Sequence, residues 1–147
     1  VWQDRSGMQE IAPRIVEAAT RAEPDFDDNG PDEVDAVFYI LAEPAMFVHL
    51  SAINVDSRLN YIPQPASDLR VTTLAEDPEF DVYLLVGPHE LSDESRLHNI
   101  ENLSLVASFP YQPSRLVWLD EFPGRPFSEW KGDDSRWQLR LYRVLPP

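Results

Sequence analysis

The chain contains no cysteine. That excludes disulfide staples, thiolate nucleophiles and thiolate metal sites together. It leaves the compartment open, because exported and cytosolic domains alike do without the residue. Lysine is almost as scarce: of the 12 basic residues all but Lys131 are Arg. The 5 glycines are too scattered for a phosphate-cradling loop, and there is no G-x-G-x-x-G, P-loop or G-x-S-x-G. Receiver-type phosphotransfer fails as well, since Leu41-Ala-Glu43 lacks an acidic pair. His49, His89 and His98 are too dispersed for a zinc set. No apolar run is long enough to cross a bilayer and no signal peptide is visible. The chain starts at Val1 rather than Met, which reads as a piece cut from a longer protein.

What is plentiful is acid. Asp and Glu number 26 against 12 Lys and Arg, for a formal charge of -14. Such a chain is repelled by nucleic acid and by anionic membrane, and neither is expected as a partner. Solubility is the plainer use of the surplus. The 147 residues fit one domain with a core of its own.

Two stretches organise that core. Asp35-Ala-Val-Phe-Tyr-Ile-Leu41 runs into Ala42-Glu43-Pro44, and Asp81-Val-Tyr-Leu-Leu-Val86 runs into Gly87-Pro88-His89. Apolar runs without polar alternation predict strands buried on both faces, the mark of parallel sheets covered by helices. Proline is cheap at the first position of a helix, so each run reads as strand, turn, helix. The stripe Met8, Ile11, Ala12, Ile15, Val16 and Ala19 predicts an amphipathic helix over about 7–22, with Pro13 as a kink or a true start. Residues 44–54 are apolar nearly all round and predict a well-buried helix. Residues 55–67, with Pro63 and Pro65, read as an irregular connection. Asp68–Thr73, Leu103–Phe109 and Arg115–Leu119 read as strands, and 89–99 as a polar helix. Arg136–Val144 alternates with period two, which predicts a half-exposed antiparallel or edge strand. The expected fold is one α/β domain: three-layer, Rossmann-like, with a mixed, mainly parallel sheet of about five or six strands and an antiparallel C-terminal edge.

Ligands of open α/β sheets bind beyond the carboxyl ends of the strands, near helix N-termini. Glu43, His89 and Glu90 follow the two buried strands and are the first candidates, Glu43 and His89 as a base and acid pair or as hydrogen-bonding groups for a sugar or phosphate. The plainer reading, preferred because no glycine-rich phosphate loop accompanies them, is that Glu43 and Glu90 complement a helix dipole and His89 is a surface residue. Near the C-terminus, Trp130 is available to stack on a sugar ring and Asp120 to accept from hydroxyls, while Trp118 and Trp137 suit the core. Asp25-Phe-Asp27-Asp-Asn29-Gly30 matches half of a calcium loop, but the twelfth position is Ala36 inside a buried strand, so a solvated acidic turn is the better reading. No metal and no cofactor are expected.

The pieces Phe38-Tyr-Ile-Leu-Ala-Glu-Pro44 with Phe47-Val-His-Leu50, Tyr83-Leu-Leu-Val-Gly-Pro-His89, and Phe109-Pro-Tyr-Gln-Pro-Ser114 running into Leu116-Val-Trp-Leu-Asp-Glu121 carry a resemblance. In series they resemble the C-terminal extracytoplasmic region of bacterial multi-pass glycosyltransferases similar to the dolichyl-phosphate-mannose–protein mannosyltransferases and the lipid-linked aminoarabinose transferases, over roughly residues 5–145. The resemblance implies a parent that spans the membrane and draws sugar from a polyprenyl-phosphate donor. Its catalytic acid would lie in an early extracytoplasmic loop outside these residues, so no catalytic residue carries over. This piece would be a periplasmic, non-catalytic appendage that packs on the rest of its own chain and helps recognise acceptor or sugar. Two other readings stand beside it: a self-contained small-molecule or nucleotide-sugar enzyme using Glu43 and His89, and a protein-interaction module using the acidic face.

Overall fold

The computed structural model describes residues 8–22, 34–41, 44–54, 59–66, 80–87, 101–110 and 138–146. Along the chain these form α1 (Met8–Ala22), β1 (Ala36–Leu41), α2 (Pro44–Ile53), β2 (Tyr61–Ala66), β3 (Asp81–Val86), β4 (Leu103–Pro110) and β5 (Gln138–Val144). The predicted strands at 68–73 and 115–119, the predicted helix at 89–99 and the acidic turn at 25–30 lie outside the described residues.

The five strands make one mixed sheet in the order β2-β1-β3-β5-β4. The two apolar runs are neighbours and parallel, with Leu41 beside Val86. β2 joins the other side of β1, also parallel. β5 runs against both β3 and β4, so β1, β2, β3 and β4 all point one way.

Alternation sorts the strand residues onto two faces. Ala36, Phe38 and Ile40 of β1, Tyr61 of β2, Tyr83 and Leu85 of β3, Phe109 of β4, and Leu139 and Leu141 of β5 pack with both helices. α1 contributes Ile11, Ala12, Ile15, Val16 and Ala19, the predicted stripe, to that face. Pro13 sits within the helix on its exposed side. At the centre Phe38 meets Tyr61 edge-on and stacks on Tyr83, both at 5.2 Å between ring centroids. On the opposite face Leu41, Val82, Leu84, Val86 and Val144 form a second buried cluster, and no described helix lies against it.

Three expectations need correction. The stretch read as an irregular connection contains β2. Two prolines are tolerated there because β2 is an edge strand and their missing N–H groups point away from β1. The Tyr61 carbonyl, two residues earlier and of the same parity, accepts from Asn54 Nδ2 at 2.9 Å instead of from β1. Second, α2 is not buried all round: Met46 and Leu50 are inserted, while Phe47 and Val48 are 37% and 63% exposed, and His49 is half-buried. An apolar helix at the side of a sheet can bury only the stripe that meets the sheet. Third, the C-terminal strand is antiparallel as expected but lies inside the sheet, between β3 and β4, and is not its edge.

β4 also holds a feature with no sequence signal. Its pairing to β5 slips between Leu105 and Ala107, leaving Val106 as an extra residue. A bulge reverses which face the following residues take. Phe109 therefore turns toward the helices, where it is buried and Arg14 of α1 lies 5.4 Å above its ring.

Tyr61 supplies a pH test of this packing. Its hydroxyl donates to the Leu50 carbonyl at 2.6 Å, and burial pushes the phenol from 10.0 up to about 12. The unfolded chain ionises first as pH rises, so the contribution is whole below 10.0 and is lost as pH climbs through about 12. The loss amounts to about 2–3 kcal/mol. Denaturant midpoints followed across this window should fall more steeply for the wild type than for Tyr61→Phe. Equal slopes would show that Tyr61 does not govern the alkaline transition.

Candidate functional site

The two ends of the sheet are built differently. At the amino end, backbone and side chains stitch the strands together. Asn60 N–H donates to Asp35 Oδ2 at 2.9 Å, while the Asn60 carbonyl accepts from Asp35 N–H at 2.7 Å and Ala36 N–H at 3.3 Å. Asp81 N–H donates to the Asp35 carbonyl at 3.0 Å. Arg143 donates to Asp81 Oδ1 at 2.9 Å and to the Ala22 carbonyl at the end of α1 at 3.3 Å. Asp35, Asn60, Asp81 and Arg143 thus fasten β1, β2, β3, β5 and α1, a structural role. They come from distant parts of the sequence, and no local pattern announces the group.

The carboxyl end is where the connections depart. Leu41 and Val86 end in register, and Gly87 N–H carries the ladder one step further to the Leu41 carbonyl at 2.9 Å. Two connections therefore leave from adjacent backbone positions, about 4.8 Å apart. β1 continues toward β2 on one side of itself, and β3 toward β4 on the other. Strand order reverses at this point, the position at which open α/β sheets bind their ligands. Residues 111–137 leave and return at the same end, since Pro110 and Gln138 are partners in the register. Arg140 stands opposite both Val86 and Ser108 and brings positive charge to this end of the sheet.

Glu43, His89, Glu90, Asp120 and Trp130, the candidates drawn from sequence, all lie outside the described residues. What is described is where their segments are anchored. Glu43 follows β1 by two positions, and His89 and Glu90 follow Gly87 by two and three. Asp120 and Trp130 belong to the segment between Pro110 and Gln138. The anchors of all five lie at the carboxyl end and none at the amino end.

No family model, curated protein or solved structure matches the chain. The chemistry must then be argued from the site itself. Among the described residues no three His, Asp or Glu side chains gather to hold a metal ion, and no helix is long and apolar enough to cross a membrane. At the carboxyl end the described residues hold the ends of β1 and β3 side by side in register, with Arg140 beside Val86. Nothing described there pairs a nucleophile with a base.

Proposed function

We propose that this chain is a non-catalytic extracytoplasmic domain of a bacterial membrane glycosyltransferase, and that it takes part in acceptor or sugar recognition at the carboxyl end of its sheet. The observation that carries the reading is the direction of three strands. The segments that bear the glycosyltransferase resemblance begin on β1, on β3 and on the last two residues of β4, Phe109 and Pro110, strands that point the same way and end at one end of the sheet. The remainder of the same membrane chain is the expected partner, and the periplasmic side the expected location.

The proposal includes a three-layer, Rossmann-like arrangement. Both described helices serve the first face, yet the second cluster is buried. β1 crosses to β2 in one lateral sense over the first face, whereas β2 to β3 and β3 to β4 move in the other sense. Right-handed crossovers, the rule in about 98% of such connections, would then bring those two connections across the second face.

Hydropathy and topology mapping of the full-length gene product test the functional reading. Many apolar spans, with this domain open to protease added on the periplasmic side, are expected. A full-length product without spans, or a domain protected on that side, removes the reading.

The switch point between β1 and β3 favours one alternative, a small-molecule or nucleotide-sugar site using Glu43 and His89. Titration calorimetry with a nucleotide sugar should then give binding that the double variant Glu43→Ala, His89→Ala abolishes. Binding unchanged in that variant eliminates the alternative.

A further inference from the structure

We draw no further inference here: the strongest candidate, the uncharged side of α2 on which Phe47 and Val48 are 37% and 63% exposed beside Ser51 and Ala52, is an apolar helix face, and nothing among the described residues shows what covers it.

Discussion

Replacing Phe38 by alanine is expected to destabilise the domain by about 3–5 kcal/mol, the cost of removing a large buried ring whose site cannot fully collapse. Three observations put this residue at the upper end. It is fully buried, it sits on β1 between two parallel neighbours, and it holds an aromatic ring on each side at 5.2 Å. Each aromatic contact adds about 0.5–1.5 kcal/mol beyond burial. Neither partner can follow into the cavity: the Tyr61 hydroxyl is tied to the Leu50 carbonyl and the Tyr83 hydroxyl to the Ala19 carbonyl, so both rings are held at their far ends. Domains of this size hold about 5–15 kcal/mol in all, and the variant should therefore unfold at a much lower denaturant concentration. Phe38→Leu, which keeps most of the volume, should lose about 1.5 kcal/mol or less. A loss under about 2 kcal/mol for the alanine variant would mean that the aromatic cluster repacks, contrary to its hydrogen-bonded anchoring.

That cluster also marks what the sequence discloses. β1 and β3 are legible because an unbroken apolar run has few uses other than a strand covered on both faces, and their parallel adjacency follows from that pattern. α1 is legible from its stripe, and β5 from its period of two. The position of β5 is not, because alternation measures how much of a strand is buried and not which strands flank it. β2 was hidden by Pro63 and Pro65, whose penalty vanishes when the missing donor points away from the sheet. The burial of α2 was overestimated since its apolar composition says nothing about how many surfaces reach it; Val48 remains largely exposed. The bulge at Val106 has no glycine or other local mark. As for the site, Glu43, His89 and Glu90 are marked in sequence by their place after the strands, Asp120 and Trp130 by residue type alone, and all five lie outside the described residues. The switch point itself depends on strand order, which no local pattern contains.

The second face of the sheet supplies the other large effect. Leu84 lies at the centre of β3, between Tyr39 and Tyr142 in the register, and is fully buried. Yet α1 and α2 both belong to the first face. An aspartate at position 84 would be a carboxylate in an apolar cluster of Leu41, Val82, Val86 and Val144, with Arg140, opposite Val86 on the same face, as the cation next to that cluster in the register. Taking a carboxylate out of water costs several kcal/mol even after relaxation, and one half-buried Arg near the end of the sheet offsets only part of that; the remainder is comparable to the whole stability of a domain. Leu84→Asp should therefore fail to fold, with loss of tertiary dichroism and of a cooperative transition. Val48→Asp is the matched control: it places the same charge on an apolar helix at a position 63% exposed, and should change stability by about 0.5 kcal/mol or less. The contrast between them bears directly on the three-layer proposal. A sheet coated on one side only would tolerate an acid at position 84 nearly as well as at position 48, because water would reach it. Two variants of similar stability would mean a two-layer domain, and the right-handed passage of the β2–β3 and β3–β4 connections over that face would have to be abandoned.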